Sequence, residues 1–333
     1  MIPNNSSDPI RFMLEEKSFA TLQSTMPAVI AHCVTGLLAV LSNIVVLLLM
    51  ARSVQLQTAS HFLVSQLAIA DFLVGASYFA TATKRMLRLH WRIPEVMSQL
   101  RCCAELFPLQ FSLSASILLA LAISIERLLA TAAPLAYFQH ARAIAATLGC
   151  FAWLYAAVDA SFMFMGVSSS LLIPNCNLVA TVTQSYYNFN SIHKLSLICA
   201  MVALYGCVML ALSLQVRAAR KNHENVVEVK KKLQAKVAKM LGVIVLLYLV
   251  NQVLTRVGIA LLVYLPPADR PTFAPFIRIF VILNSGVNLF IYIGLSTEYK
   301  TAFRTLWGSG RCGKNSIATV TPIHHIRTSN NSK

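Results

Sequence analysis

The sequence predicts an all-α membrane protein in which seven transmembrane helices form a bundle and a short amphipathic eighth helix follows them. Of the 333 residues, 57% are hydrophobic and only 12% are charged, which is about half the charged fraction of a soluble domain. The mean hydropathy is +0.65. Apolar stretches of about 20 residues, the length that crosses a hydrocarbon layer ~30 Å thick, recur along the whole chain.

The predicted spans are long apolar stretches with few charged residues. They cover residues 26–51, 59–82, 106–130, 143–167, 195–216, 240–264 and 273–295. Each is predicted to be helical, because the hydrocarbon layer holds no water to satisfy backbone groups. Residues 298–307 form the eighth helix. The bundle with this helix is one domain, 26–307, and residues 1–25 and 308–333 are terminal tails.

The 28 Lys and Arg residues indicate the orientation in the membrane. The most basic segment, between the fifth and sixth spans, contains Arg217, Arg220, Lys221, Lys230, Lys231, Lys232, Lys236 and Lys239. Short basic loops stay in the cytoplasm, so the N-terminus is predicted to be extracellular and the C-terminus cytoplasmic. One basic loop, between the second and third spans, disagrees; it contains Lys84, Arg85, Arg88, Arg92 and Arg101.

Two Asn-X-Ser sequons, at Asn4 and Asn5, agree with this orientation. Glycosylation takes place on the extracellular side, so these two residues are predicted glycosylation sites. A third sequon, at Asn330, lies in the predicted cytoplasmic tail and shows that the motif also occurs by chance.

The cysteines suggest a disulfide on the extracellular side. Cys102 and Cys103 precede the third span, and Cys176 follows the fourth. Disulfides persist in oxidising surroundings, so Cys102 or Cys103 could bridge to Cys176 and hold that loop over the bundle. Free thiols are the alternative. Four further cysteines lie within spans and are interpreted as ordinary small apolar residues: Cys33, Cys150, Cys199 and Cys207.

Polar side chains interrupt two of the apolar spans. Asp71 lies within the second span, and Asn284, Ser285, Asn288 and Tyr292 lie near the end of the seventh. Polar groups are costly in hydrocarbon and usually face the interior of a bundle, where they bind an ion or relay a signal. These residues are therefore candidates for a functional site.

Short motifs follow one another in a characteristic order. The second span contains Leu67-Ala68-Ile69-Ala70-Asp71 and the third ends with Glu126-Arg127-Leu128; Pro134-Leu135-Ala136-Tyr137 begins seven residues after this Arg. The fourth span contains Trp153, and the seventh ends with Asn288-Leu289-Phe290-Ile291-Tyr292. Together these motifs resemble those of the rhodopsin-like (class A) G-protein-coupled receptors, over residues 26–307.

This resemblance implies a switch at the cytoplasmic face that opens to a heterotrimeric G protein. The residues implied in it are Glu126, Arg127, Pro134, Tyr137, Asn288 and Tyr292. Glu126 and Arg127 would neutralise each other at rest, and opening would free Arg127; the alternative is an Arg127 that simply reaches the membrane surface. The family's disulfide spacing, 25 residues before the Arg, favours Cys102 over Cys103.

The resemblance also implies an ion pocket around Asp71. Its other members would be Ser116, Asn284, Ser285 and Asn288, with Asn43 as a neighbour. Their oxygens suit a hard cation such as sodium, which would act as an allosteric modulator. A hydrated polar network without sodium, or a protonated Asp71, is the alternative.

The sequence departs from the family in the sixth and seventh spans. In the sixth span the family has Phe followed by Cys-Trp-x-Pro, whereas this sequence has Tyr248 followed by Asn251, Gln252 and Leu254, so the Trp and the kinking Pro are missing. In the seventh, Asn288 is followed by Leu rather than Pro. Loss of a proline removes the cause of a helix kink. This pattern is most similar to the nematode serpentine chemoreceptors of the sx class, so the predicted ligand is a small chemosensory molecule.

Candidate ligand contacts lie in the extracellular half of the bundle. They are Glu105, Leu109, Gln110, Gln252 and Arg256. Amine-binding relatives have an Asp at the position of Leu109, so a biogenic amine is not expected. Arg256 could pair with an anionic ligand through its guanidinium, or form an internal ion pair with Glu105 or Asp159.

The predicted function is therefore allosteric signalling. No P-loop, HExxH motif or nucleophile–base pair suggests an enzyme. Heterotrimeric G protein and membrane lipid are the expected partners, and no nucleic acid is expected despite a net charge of +16. A neuropeptide receptor, a receptor-like protein that no longer signals, and a membrane transporter are the alternatives. The sequence lacks the paired, Gly/Pro-interrupted helices typical of a transporter.

Overall fold

The structure, a computed structural model, describes residues 9–221, 242–243, 246–251, 253–255, 257–258, 261–266 and 270–308. In these residues the helices are α1 (Pro9–Ser24), α2 (Met26–Arg52), α3 (Ala59–His90), α4 (Gln99–Ala132), α5 (Pro134–Ser161), α6 (Leu178–Thr181), α7 (Gln184–Lys221), α8 (Leu246–Thr255), α9 (Arg270–Leu295) and α10 (Thr297–Gly308). Short 3-10 turns occur at Val54–Leu56, Phe162–Phe164 and Leu262–Tyr264. Strand β1 (Val96–Ser98) pairs with β2 (Leu172–Pro174).

Six helices of the described part are long and apolar enough to cross a membrane: α2, α3, α4, α5, α7 and α9. They confirm the all-α class and correspond to predicted spans one to five and seven. Eight of the 25 residues of the sixth predicted span, 240–264, lie outside the described residues. The shorter apolar helix α8 lies within that span.

The membrane helices extend beyond most of the predicted spans. α3 continues to His90, and α4 begins at Gln99. Hydropathy detects only the part of a helix that crosses hydrocarbon, whereas backbone hydrogen bonding continues into the polar layer until a local signal ends it. At the start of α4 that signal is Ser98, whose hydroxyl accepts a hydrogen bond from the amide of Arg101.

The basic loop predicted between the second and third spans is mostly helical, which corrects the sequence interpretation. Lys84, Arg85 and Arg88 lie in the last turns of α3, and Arg101 lies in the first turn of α4. Their long side chains can extend past the apolar layer, so charged residues do not end the helix. Of the five basic residues, Arg92 lies in the connection, with a φ of 52°.

The central helix of the bundle is α4, which contacts α3, α5 and α7, while α2 packs against α3 and α9. Gly36 of α2 and Gly75 of α3 allow these two helices to approach closely. A Cβ added to Gly75 would lie 2.8 Å from the Cβ of Ala39 and 2.9 Å from the carbonyl oxygen of Gly36. Small residues commonly permit such close packing between membrane helices.

One end of the bundle, here called the disulfide end, carries the Cys102–Cys176 bridge, with 5.4 Å between the Cα atoms. The strands pair there antiparallel, with Met97 opposite Ile173. The opposite end, here called the Glu126 end, contains the end of α4, the start of α5 and helix α10.

Residues 9–24 of the predicted N-terminal tail form helix α1, which lies at the disulfide end. Ser18 is fully buried; its hydroxyl donates to Asn175 Oδ1 at 3.2 Å and accepts from the amide of Glu95 at 2.9 Å. Leu22 is also buried. These contacts attach α1 to both connections that cross the disulfide end, and α1 also touches α2, α3 and α9.

Candidate functional site

Asp71 lies at the centre of the bundle and has no solvent-exposed surface. Its Oδ1 accepts hydrogen bonds from the hydroxyls of Ser116, at 2.8 Å, and Ser285, at 2.9 Å. Its Oδ2 accepts one from Asn288 Nδ2 at 2.7 Å. The predicted polar pocket is therefore a direct contact between α3, α4 and α9. Three donors offset the cost of burying this carboxylate.

Two further polar residues border this network. Asn43 of α2 donates to the backbone carbonyls of Ala39, at 2.8 Å, and Ser285, at 2.9 Å. Asn284, which was predicted to be part of the ion pocket, instead accepts a hydrogen bond from Asn251 at 3.3 Å. Its side chain therefore connects α9 to α8, because neighbouring residues of a helix face different directions.

A second buried network surrounds Glu126. Its carboxylate has no exposed surface and lies 2.8 Å from Arg127 Nε. The hydroxyl of Tyr137 donates to Glu126 Oε1, and the hydroxyl of Ser60 donates to the same oxygen at 2.8 Å. Pro134 begins α5 at its first position, where a missing amide hydrogen costs nothing, and so places Tyr137 one turn into the helix.

The Glu126 network joins α3, α4 and α5 and includes a residue that the sequence analysis missed. Ser60 comes from the first turn of α3 and lies 66 residues from Glu126 along the chain. A serine at the start of a helix carries no local signal of such a distant contact. The predicted pairing of Glu126 with Arg127 is present.

Tyr292 links the end of α9 to α10. It is nearly fully buried, and its ring stacks on that of Tyr299. The ring of His61, at the start of α3, packs against Tyr299 with 5.7 Å between centroids, and His61 Nε2 lies 3.5 Å from Glu298 Oε2. The predicted eighth helix is therefore attached to α3 and α9 by aromatic packing.

Comparison with known proteins agrees with this arrangement. The family described as "7 transmembrane receptor (rhodopsin family)" matches residues 42–292, from α2 to Tyr292. This range contains Asp71, Glu126, Arg127 and both cysteines of the bridge. The chain belongs to the rhodopsin family of seven-transmembrane receptors.

Individual relatives of this receptor are distant. It is 27% identical over 246 residues to trace amine-associated receptor 7e of Mus musculus, covering 68% of this chain and 67% of the relative. It is 24% identical over 327 residues to the thyrotropin-releasing hormone receptor of Gallus gallus, covering 88% and 82%. With the dopamine D2-like receptor of Drosophila melanogaster it shares 28% over 195 residues, or 56% of this chain and 21% of the relative.

The predicted ligand contacts of the receptor have protein partners where they are described. Glu105 forms an ion pair with Lys84 and lies 3.7 Å from Arg101 Nε. Gln110 is buried and donates to Asn190 Oδ1 at 3.0 Å. Leu109 is partly buried and packs against a cluster at the disulfide-end side of Asp71. Gln252 and Arg256 lie outside the described residues.

Asp159, one of the carboxylates considered as an internal partner of Arg256, has partners of its own. It accepts a hydrogen bond from Ser114 at 2.6 Å and lies 3.7 Å from His193 Nε2. Glu95, which the sequence analysis did not consider, lies 3.5 Å from Arg85 Nε. Arg85 also donates to the carbonyl of Cys176. The carboxylates of Glu95, Glu105 and Asp159 thus each have a partner within the protein, although Glu95 Oε2 accepts no hydrogen bond among the described residues.

Arg278, in α9, is a further residue that the sequence analysis did not consider. It lies on the same face of α9 as Ile282, one turn away, and Ser285, two turns away, both of which face the bundle interior. His32 marks the same region, since its Nε2 donates to the Pro275 carbonyl at 2.8 Å. The sequence signal was available, because Arg278 is the cation that interrupts the predicted span 273–295.

Proposed function

We propose that this receptor is a G-protein-coupled receptor whose disulfide end is extracellular and whose Glu126 end faces the cytoplasm. The observation that carries the proposal is the buried Glu126 network, in which one carboxylate holds Arg127 together with hydroxyls from α3 and α5. A closed arrangement of this kind can have an open counterpart, and a G protein needs only to bind the open one more tightly.

The proposed mechanism is a shift between these two arrangements. Ligand bound at the disulfide end favours a bundle that is open at the Glu126 end, where Arg127 leaves Glu126 and becomes available to the G protein. By thermodynamic reciprocity, bound G protein then raises the affinity for ligand. The networks of Asp71 and Tyr292 join α9 to the rest of the bundle and are suited to connect the two ends.

We also propose that Asp71 holds a sodium ion in one of the two arrangements. The carboxylate and the hydroxyl oxygens of Ser116 and Ser285 are hard ligands that suit this cation. The side-chain amide of Asn288 points its donor at Asp71, so its nitrogen does not serve as a ligand. Bound sodium would supply the positive charge that a buried carboxylate lacks.

The ligand we propose is a small chemosensory molecule and not an amine. Leu109 stands where amine-binding relatives have an Asp, and the described carboxylates Glu95, Glu105 and Asp159 already have partners. The eroded motifs of the sixth and seventh spans support a chemoreceptor of the nematode serpentine type. The similarity to a thyrotropin-releasing hormone receptor favours a short peptide as the second candidate.

Orientation and glycosylation belong to the same proposal. The bridge at one end suits the oxidising side of a membrane. Asn4 and Asn5, the proposed glycosylation sites, lie outside the described residues. An N-terminal epitope tag that is stained on intact cells, and a mobility shift on enzymatic deglycosylation that Asn4→Gln with Asn5→Gln removes, would test both points.

The test of the function is G-protein activation in cells that express the receptor, challenged with small acids, amines, neutral odorants and short peptides. We expect a ligand-dependent signal that Arg127→Ala removes. Arg142→Ala is the matched control, since Arg142 is an exposed cation of α5 near the same end. A signal that survives Arg127→Ala, or ligand uptake without nucleotide exchange, would contradict the proposal.

A further inference from the structure

We propose that Arg278 binds the negatively charged group of the ligand, and that this ligand is an organic acid with an apolar body. The inference rests on the proposed receptor function and specifies the chemistry of its ligand. Three features of the structure support it: the layer of side chains that contains Arg278, the charges around this residue, and the apolar surface beside it.

Helix geometry places Arg278 in a layer of side chains two turns from the Asp71 network. The Asp71 network brings together Asp71 of α3, Ser116 of α4 and Ser285 of α9. Seven residues along a helix make two turns, about 10 Å, and return to the same face. Two turns from these residues toward the disulfide end, the same helices carry Tyr78, Leu109 and Arg278, respectively.

The contacts confirm that this second layer is assembled. Tyr78 packs in one cluster with Leu109 and with Ile282, which lies one turn below Arg278 on α9. Arg278 and Ile282 share one face of α9, so Arg278 lies beside this cluster. Because α3, α4 and α9 meet here, the half-buried Arg278 lies inside the bundle and not on its lipid-facing side.

The charge of Arg278 is uncompensated within the described residues. Arg85, two turns further along α3, has Glu95 and the Cys176 carbonyl as partners. By contrast, no hydrogen bond or ion pair joins Arg278 to the described part of the chain, and the nearby Arg85 repels it. A cation in the membrane interior usually pairs or marks a substrate site. An entering carboxylate would provide the missing charge through bidentate hydrogen bonds.

The surface beside Arg278 determines the rest of the ligand. Leu109 and Leu113 of α4 remain partly exposed within the cluster, and Ile282 closes it toward Asp71. An apolar body could bury against these side chains while the carboxylate stays at Arg278. In this layer the position that holds an Asp in amine-binding relatives is Leu109, and the opposite helix supplies a cation. The layer therefore has the charge sign that rejects amines and accepts acids.

The experiment measures ligand-induced stabilisation of the purified receptor, which does not depend on G-protein coupling. Phenylacetate and hexanoate are compared with their methyl esters, with phenethylamine and with sodium chloride at equal concentration. We expect the acids to raise the melting temperature and the esters and the amine to have no effect. The proposal would be overturned if the amine stabilised the receptor or if none of the acids did. It would also be overturned if sodium chloride stabilised the receptor as strongly as the acids.

Variants then locate the site. Arg278→Gln should weaken acid binding about ten- to a hundredfold, because a charged hydrogen-bond partner is lost. Arg278→Lys should retain part of it, and Arg101→Gln, which removes one exposed cation of the same end, should change it little. Leu109→Asp should abolish acid binding by occupying Arg278, whereas the isosteric Leu109→Asn should not. Equal binding by Arg278→Gln and wild type would exclude Arg278.

The two proposals fail in different ways. Acid-dependent stabilisation that requires Arg278, without any G-protein activation, would leave the ligand site intact and contradict signalling. G-protein activation by amines or esters that is insensitive to Arg278→Gln would support signalling and overturn the acid site. Surface expression and the melting temperature without ligand show whether each variant has folded.

Discussion

The ring of Tyr292, at the end of α9, stacks on the ring of Tyr299 in α10 with 4.9 Å between their centroids. Tyr299 is completely buried, although α10 lies beyond the last membrane span. Burial raises the pKa of the Tyr299 hydroxyl well above its usual value, so this group stays neutral. The stack makes α10 part of the bundle core, which gives a direct connection between a motif residue and the eighth helix.

Replacing Tyr299 by Ala should destabilise the receptor by about 3–5 kcal/mol, the usual cost of removing a buried aromatic ring. Tyr299→Phe is the matched control: the Tyr299 hydroxyl has no hydrogen-bond partner among the described residues, so its removal should cost little. Melting temperatures of the purified variants test this. Equal destabilisation by Phe and Ala would show that the hydroxyl, and not the ring, holds α10.

Glu126→Gln should raise ligand-independent G-protein activation several-fold, because the neutral amide no longer holds Arg127 by charge. Ser60→Ala should have a smaller effect in the same direction, since it removes only one of the hydroxyl donors. Glu298→Gln, a partly exposed carboxylate of the same end, serves as control. The measurement is basal nucleotide exchange, normalised to surface expression. Basal exchange in Glu126→Gln equal to that of the wild type would argue against a restraining role for the Glu126–Arg127 pair.

When sodium replaces potassium in the buffer at constant ionic strength, the melting temperature of the wild-type receptor should rise. Binding to the folded state alone stabilises in proportion to the logarithm of ligand concentration. Asp71→Asn should remove this sodium effect because it lacks the negative charge, while Asn284→Ala should keep it, since Asn284 contacts Asn251. A sodium effect that persists in Asp71→Asn would place the ion elsewhere.

Gly75→Ala should reduce stability by about 1–3 kcal/mol through overpacking, because the new methyl group meets the backbone of α2. Gly206→Ala, in α7, is the control; nothing described lies within 4 Å of its added Cβ. A better helix former at that position should be neutral or stabilising by up to about 1 kcal/mol. Surface expression and melting temperature are measured for both variants. Equal stability of Gly75→Ala and Gly206→Ala would contradict the close contact of α2 with α3.

Several site residues could be identified from the sequence because their signals are local. Asp71 stands out in an apolar span, and Glu126, Arg127 and Tyr137 occur at fixed spacing near the end of another. Helix periodicity and the cost of polar groups in hydrocarbon determine which of these side chains must point inward. Their partners are a different matter: Asn288 reaches Asp71 across 217 residues of chain.

The sequence by itself determined the membrane helices, the inward-facing polar positions and the motif order, because each depends on residues within a few turns of one another. The structure confirms the Cys102–Cys176 bridge that the motif spacing favoured. Tertiary structure alone decided that Ser60 joins Glu126 and that Asn284 turns to Asn251. It also decided that Arg278 lies beside the cluster of Tyr78 and Ile282 without a counter-ion among the described residues. These outcomes depend on how each helix is rotated against its neighbours, and that rotation is set by packing across the whole bundle.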